Sequence, residues 1–135
     1  METAYIYLAL SGALTVLLWT PYILSRLFVW GPSAFLNNYP EGYPAREPEV
    51  PLWAERSKRV HLNMVETMPA FIAVIVAAGF LAVGSEAAVS MWASVFFFAR
   101  IAHAVVYSFG IPFLRTPTYL ASWLAILMIA AQTLI

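Results

Sequence analysis

The chain has 135 residues, of which 62% are hydrophobic and only 10% are charged, whereas an ordinary soluble domain carries roughly a quarter charged residues. A soluble fold of this length cannot hide so much apolar surface, so the composition indicates a protein whose solvent is the lipid bilayer. The seven basic and seven acidic residues cancel, which gives no basic excess for nucleic acid, and the absence of cysteine excludes disulfides, thiolate metal sites and a cysteine nucleophile.

The first apolar run covers residues 4–30 and carries no charge before Arg26. A helix needs about 20 apolar residues to cross the hydrocarbon core, and this run is long enough. A cleaved signal peptide would have a basic start and a shorter apolar stretch, whereas this sequence has Glu2 at that place. We therefore expect a retained membrane span.

Three further apolar runs predict spans at about 60–83, 87–109 and 118–135, the first of them preceded by a polar helix start, LWAERSKR. The tight connection VGSE makes the second and third spans antiparallel neighbours. The next connection, GIPFLRTP, holds a glycine and two prolines and predicts a short structured turn. The chain is therefore predicted to be an all-α integral membrane protein, a single domain over residues 1–135 with a bundle of four transmembrane helices.

The first connection, residues 31–52, contains five of the nine prolines and shows no helical or strand period. It is too aromatic for a disordered linker, so we expect an ordered cap over one membrane face. Basic residues near the span ends lie on the first and third connections: Arg26, Arg46, Arg56, Lys58, Arg59 and Arg115. The opposite face has only Glu2 and Glu86, so the first and third connections are predicted to be cytoplasmic and both termini non-cytoplasmic.

Polar side chains recur inside the spans near that same face. At roughly 100° per residue, Arg59, Asn63 and Glu66 fall within about 60° of one another on the second span. Matching positions near the end of the third span and the start of the fourth are Arg100, His103, Tyr107, Arg115 and Tyr119. Ionisable groups at membrane depth are costly and turn inward to pair or to line a wet cavity. The sequence therefore predicts one polar pocket that opens to the cytoplasm.

Simpler structural roles fit several of these residues. Glu66 and Arg100 could form an ion pair that only fastens the second span to the third, and His103 could be a hydrogen-bonded helix contact. Arg56 and its charged neighbours fit a solvated helix start. Two histidines without an acidic or cysteine cluster do not predict a metal site. The number and variety of the polar groups exceed what fastening requires, which favours a binding site.

Three stretches resemble motifs of the MAPEG family, the membrane-associated proteins of eicosanoid and glutathione metabolism. RVHLNMVETMPAF (59–71) is similar to the second-helix signature of that family, ARIAHAVVY (99–107) to its third-helix motif, and LRTPTY (114–119) to the start of its fourth helix. The resemblance covers about Trp53 to the C-terminus, and the first span agrees only in kind. It implies a four-helix bundle assembled as a homotrimer, with the cosubstrate glutathione bound between neighbouring subunits near the cytoplasmic face.

The resemblance also assigns roles by position. Arg115 matches the arginine proposed in catalytic members to stabilise the glutathione thiolate, and Thr116 stands where prostaglandin E synthases have a serine. Leu62 replaces a glutathione-binding arginine of those synthases, but leukotriene-forming members have an aliphatic residue there and rely on the arginine that matches Arg59. His103 follows the prostaglandin synthase type. The residues implied to contact glutathione are Arg59, Asn63, Glu66, His103, Tyr107, Tyr119 and, by a looser alignment in the first span, Arg26.

These roles imply a glutathione-dependent membrane transferase or peroxidase that acts on apolar electrophiles or lipid peroxides from the bilayer. A thiol ionises near a pKa of about 8.5, which an adjacent cation lowers, and Arg115 could be that cation. The alternative is a non-catalytic lipid-binding or scaffold member of the same family. The presence of Arg115, Tyr107 and the Arg–Asn–Glu set favours the enzyme. A proton or ion pathway is disfavoured because the charges cluster at one face.

Overall fold

The computed structural model describes residues 1–37, 41–43, 45, 48–81 and 84–134. These residues form the helices α1 (Glu2–Trp30), α2 (Pro32–Leu36), α3 (Leu52–Phe80), α4 (Glu86–Phe109) and α5 (Arg115–Leu134). All except α2 are long and apolar enough to cross a membrane. The protein is therefore a multi-pass integral membrane protein built as a bundle of four spanning helices, as its composition predicts.

The first connection contains a helix that its sequence pattern does not predict. α2 has only five residues and follows Gly31 directly. Gly31 has a φ of 80°, and Pro32 at the first helical position supplies a preset φ and lacks an N–H that would need a partner. The ordered cap expected over this membrane face falls partly on residues 38–40, 44, 46 and 47, which lie outside the described residues.

The core is built from stripes of buried residues that recur at alternating steps of four and three. The stripes on α3 and α4 consist of Met64, Met68, Phe71, Ile75 and Ala78, and of Val89, Ala93 and Phe96. This spacing keeps one stripe on the inner face of each helix and suits helices that cross at a small angle. Where α3 meets α4, the rings of Phe71 and Phe96 stack with centroids 3.9 Å apart and planes 14° apart.

The stripe on α4 continues beyond Phe96 with two polar residues. Arg100 and His103 follow at the same steps of four and three, and each is only 2% exposed. Polar groups buried in this way require hydrogen-bond partners. The inner face of α4 is therefore apolar over its first half and polar towards its end.

The turn between α4 and α5 positions this polar part of the bundle. α4 ends at Gly110, which has left-handed backbone angles (φ 67°, ψ 32°) that residues with a Cβ rarely adopt. The Gly110 N–H donates to the Tyr107 carbonyl (3.0 Å) and the Ile111 N–H to the Val106 carbonyl (2.9 Å), which closes the helix end as in a Schellman motif. The structured turn expected from the sequence is thus present, and it places the start of α5 beside the end of α4.

One end of the bundle collects the end of α1, the start of α3, the end of α4 and the start of α5, because consecutive spans are antiparallel. We call it the polar end. At the opposite end the amino group of Met1 pairs with Glu86 and α1 passes close to α3, since a Cβ on Gly79 would overlap the Tyr5 hydroxyl group. The ionisable side chains of α3, α4 and α5 that lie inside the spans are therefore grouped towards the polar end.

Candidate functional site

A cleft of about 550 Å³ opens among α3, α4 and α5 at the polar end. Small-molecule sites in proteins have volumes of about 300–1,000 Å³. The residues that line this polar cleft are Arg59, Asn63, His103, Tyr107, Arg115, Thr116 and Tyr119. The structure thus brings together seven of the nine site residues predicted from the sequence.

Glu66 and Arg26 are the two predicted site residues that do not line the polar cleft. Glu66 lies one turn beyond Asn63 on α3 and is exposed on the surface of the single chain, next to the 45% exposed Leu62. Arg26 lies on α1, where its guanidinium carbon is 4.9 Å from the centre of the Trp30 ring. The single chain therefore brings together most of the predicted site residues, whereas the acidic one, Glu66, lies on an outer face.

His103 connects the three helices around the cleft. Its Nδ1 lies 3.2 Å from the Arg115 carbonyl oxygen, which can only accept, so Nδ1 carries the proton and donates. The side-chain amide of Asn63 lies 3.5 Å from Nε2. The His103 ring also meets the rings of Tyr107 and Tyr119 at centroid distances of 5.5 and 5.7 Å. His103 therefore links Asn63 on α3 to the first residue of α5.

Arg100 lies behind the cleft. Its Nη2 donates to Thr67 Oγ1 on α3 at 2.6 Å, and its guanidinium carbon is 4.9 Å from the centre of the Tyr119 ring. Its Nε and Nη1 find no hydrogen-bond partner within the described part of the chain. Arg100 therefore supports Tyr119 from the core side.

The ion pair between Glu66 and Arg100 that the sequence leaves open is not formed between these two described residues. Glu66 attracts Arg100 only at longer range. Arg100 instead occupies a core position of α4, and Glu66 points away from that core because it lies on a different face of α3 from the buried Thr67 and Met64. The hydrogen bond from Arg100 to Thr67 therefore joins α3 to α4. The Glu66 carboxylate remains available for another partner.

The polar cleft is cationic and rich in hydrogen-bond groups. Arg59 and Arg115 are both exposed in the single chain, and the Arg115 guanidinium carbon lies 5.1 Å from the centre of the Tyr107 ring. No acidic side chain is among the described residues that line the cleft. Guanidinium groups bind carboxylates through paired hydrogen bonds. The cleft is therefore suited to a small molecule that carries carboxylate groups.

Arg56 lines a pocket, whereas its sequence context predicts only a solvated helix start. Its guanidinium group packs over Gly110, where an added Cβ would lie only 2.5 Å from the guanidinium carbon. Arg56 lines a second pocket of about 430 Å³, which shares Tyr107, Arg115 and Thr116 with the polar cleft. No feature of the sequence around Arg56 distinguishes it from Lys58, because the partner that defines its position is a glycine at the far end of α4.

Replacing His103 by phenylalanine should destabilise the bundle by about 1–3 kcal/mol, since the hydrogen bonds of the two ring nitrogens to Asn63 and to the Arg115 carbonyl are lost while the ring volume is retained. Chemical unfolding of the detergent-solubilised protein, followed by circular dichroism, measures the change. The control is His61→Phe, because His61 is only partly buried and its Nδ1 lies 3.5 Å from the Tyr22 hydroxyl. An equal loss in the two variants would contradict the linking role of His103.

Comparison with known proteins agrees with this geometry. The family model described as the MAPEG family matches residues 3–135. The match covers the three helices around the polar cleft and also α1, which contains none of the three motifs and resembles that family only as an apolar span. No curated protein and no solved structure matches the chain.

Proposed function

The chain belongs to the MAPEG family, and from this premise we propose that it is a glutathione-dependent membrane transferase or peroxidase that acts on apolar electrophiles or lipid peroxides. The observation that carries the proposal is the convergence of Arg59, Asn63 and Arg115 from two helices on one cleft. A scaffold protein needs no such arrangement of cationic and amide groups beside a lipid-facing surface.

The chemistry of the cleft fits glutathione, which has two carboxylates, an ammonium group and a thiol. The Arg59 guanidinium and the Asn63 amide would bind a carboxylate, and Glu66 would pair with the ammonium group. His103, through its hydrogen bonds to Asn63 and to the Arg115 backbone, would hold these groups in place. The remaining contacts would come from Tyr107, Tyr119, Thr116 and, from the first span, Arg26.

Arg115 has the role closest to the chemistry in this proposal. Its guanidinium stays charged at any working pH and would lower the pKa of the bound thiol by stabilising the thiolate. The thiolate sulfur would form a bond to an electrophilic carbon, whose leaving group departs with the bonding electrons. With a hydroperoxide it would bond to the outer oxygen while the O–O bond breaks and the alkoxide leaves to take a proton from water; a second glutathione would then convert the resulting sulfenic acid to the disulfide and water. Arg115 would therefore act as a fixed electrostatic partner and Thr116, beside it, as a neutral hydrogen-bond donor.

We also infer that the chain assembles as a homotrimer in which the cleft lies between subunits. Glu66 lies inside the span predicted at about 60–83, almost two turns beyond the start of that span, yet it is exposed in the single chain. A carboxylate at such a depth is costly against lipid. A neighbouring copy that covers this face would remove that cost and bring Glu66 next to a glutathione bound at the interface.

The decisive experiment is glutathione binding to the detergent-purified full chain, followed by an ultraviolet scan for bound thiolate. We expect saturable binding and a thiolate absorbance near neutral pH that an unrelated membrane protein does not give. Absence of bound thiolate, together with no turnover on a panel of apolar electrophiles and peroxides, would favour the non-catalytic lipid-binding scaffold.

The orientation proposed for the bundle places the first and third connections in the cytoplasm. Arg56, Lys58, Arg59 and Arg115 all lie near the polar end, and basic residues near span ends favour the cytoplasmic side. A reporter fused after residue 135 should therefore be found on the non-cytoplasmic side, and one inserted in the first connection on the cytoplasmic side. The reverse pattern would require an inverted bundle.

A further inference from the structure

The second pocket, which we call the Arg56 pocket, has a use that glutathione binding does not explain. It measures about 430 Å³ and is lined by the start of α3, the end of α4 and the turn to α5. Two guanidinium groups, from Arg56 and Arg115, face it, and no acidic side chain is among its described lining residues. It therefore presents an uncompensated positive charge at the level of the helix ends, where lipid head groups lie.

The position of Arg56 depends on Gly110. Because Gly110 has no Cβ, the Arg56 guanidinium occupies space that any other residue would fill. Gly110 is also fixed in its left-handed conformation by the two hydrogen bonds that end α4. The cation is consequently seated against rigid backbone, whereas a solvated arginine on a helix surface would sample many rotamers.

The rim of the pocket is strongly apolar and faces outward. Ile111 and Phe113, which line the pocket, are 41% and 93% exposed, and Phe109, next to Gly110, is 78% exposed. Phe113 has a φ of 65°, an uncommon conformation for a bulky residue, and it turns this aromatic ring away from the protein. Contiguous exposed apolar side chains mark sites of contact with a membrane or another protein. The pocket thus combines a cationic interior with a rim that contacts lipid.

We propose that the Arg56 pocket binds an anionic phospholipid, with the lipid phosphate between Arg56 and Arg115 and the acyl chains along Phe109, Ile111 and Phe113. Guanidinium groups match the phosphate geometry with paired hydrogen bonds, and the Thr116 hydroxyl at the pocket wall offers one more donor. The apolar rim selects a ligand that resides in the bilayer over a soluble phosphate. This proposal does not depend on glutathione, but the two ligands would compete for Arg115, since Tyr107, Arg115 and Thr116 line both pockets.

The test uses the full chain in phosphatidylcholine nanodiscs with increasing phosphatidylglycerol, and native mass spectrometry counts the phosphatidylglycerol retained. Arg56→Gln should weaken retention about tenfold, which corresponds to about 1.4 kcal/mol. Gly110→Asn should weaken it similarly although no charge is lost, because asparagine tolerates the left-handed conformation while its Cβ displaces the Arg56 guanidinium. The matched control is Lys58→Gln, which removes one positive charge from the same helix turn outside the pocket.

Two results would overturn the proposal. An equal loss in Lys58→Gln would assign the preference to general surface charge, and displacement of phosphatidylglycerol by glycerol 3-phosphate at equal concentration would assign the pocket to a soluble phosphate. Circular dichroism and thermal unfolding verify that each variant is folded. If Arg56→Gln does not fold, the comparison of Gly110→Asn with Lys58→Gln still decides, since both keep Arg56 itself.

Discussion

Arg115→Leu is expected to raise the pH at which bound glutathione ionises and to slow turnover by about a hundredfold, the lower range for loss of one electrostatic group that stabilises an anion. Each unit by which Arg115 lowers the pKa of the thiol corresponds to about 1.36 kcal/mol. Glutathione affinity should fall much less, because Arg59 and Asn63 remain in place for its carboxylates. Thiolate absorbance followed against pH, together with kcat and KM, separates these effects.

The control for this prediction is Arg115→Lys. Lysine keeps the charge but cannot reproduce the planar group that lies over the Tyr107 ring. It should therefore retain most of the thiolate at neutral pH and lose some of its positioning. A thiolate titration that is unchanged in Arg115→Leu would show that another group stabilises the sulfur, and the catalytic role of Arg115 would be withdrawn.

Glu66→Gln should weaken glutathione binding by about 1.5–3 kcal/mol, the range for loss of a hydrogen bond to a charged group, and should leave the oligomer intact. The fold of each subunit should also be unchanged, because Glu66 makes no ion pair with Arg100 and α3 is fastened to α4 through Thr67. Calorimetric titration with glutathione measures the affinity, and native mass spectrometry measures the oligomeric state.

Glu55→Gln provides the matched control, since Glu55 lies on the same helix three turns earlier and outside the polar cleft. It should bind glutathione as the unchanged protein does. If Glu66→Gln instead dissociates the oligomer and the resulting monomer binds glutathione normally, Glu66 has a structural role and the proposed contact with the ammonium group is wrong.

Helical periodicity predicts most of the side chains that line the cleft, but not the outward position of Glu66 or the path of each side chain. The spacing of Arg59 and Asn63 on one helix and of His103 and Tyr107 on another placed them on facing stripes, and the structure brings them together. Arg100 belongs to the same stripe of α4, yet its side chain turns into the core against Thr67 and Tyr119. The period gives the direction of a residue around the helix axis, whereas the path of a long side chain depends on the space that neighbouring helices leave.

The contacts made through the α4–α5 turn could not be predicted from the sequence, for a similar reason. The hydrogen bond from His103 to the Arg115 carbonyl joins residues twelve positions apart across a turn whose shape depends on the left-handed Gly110. Glycine and proline predicted that a turn exists but not which backbone oxygen it would present to His103. The same turn brings Gly110 under Arg56, which is why Arg56 looked like an ordinary surface charge.

The buried stripe of α4 restricts where residues can be inserted into this protein or deleted from it. Its apolar and polar parts share one register, from Val89 through Phe96 to Arg100 and His103. A single residue inserted between Val89 and Phe96 would turn everything beyond it by about 100° and shift it by about 1.5 Å relative to the core. Val89 would then leave the core, or Phe96 and His103 would leave Phe71 and Asn63, because the contacts before and after the insertion cannot all be kept. Insertions and deletions should consequently be tolerated in the connection before α3 but not in the interior of α4.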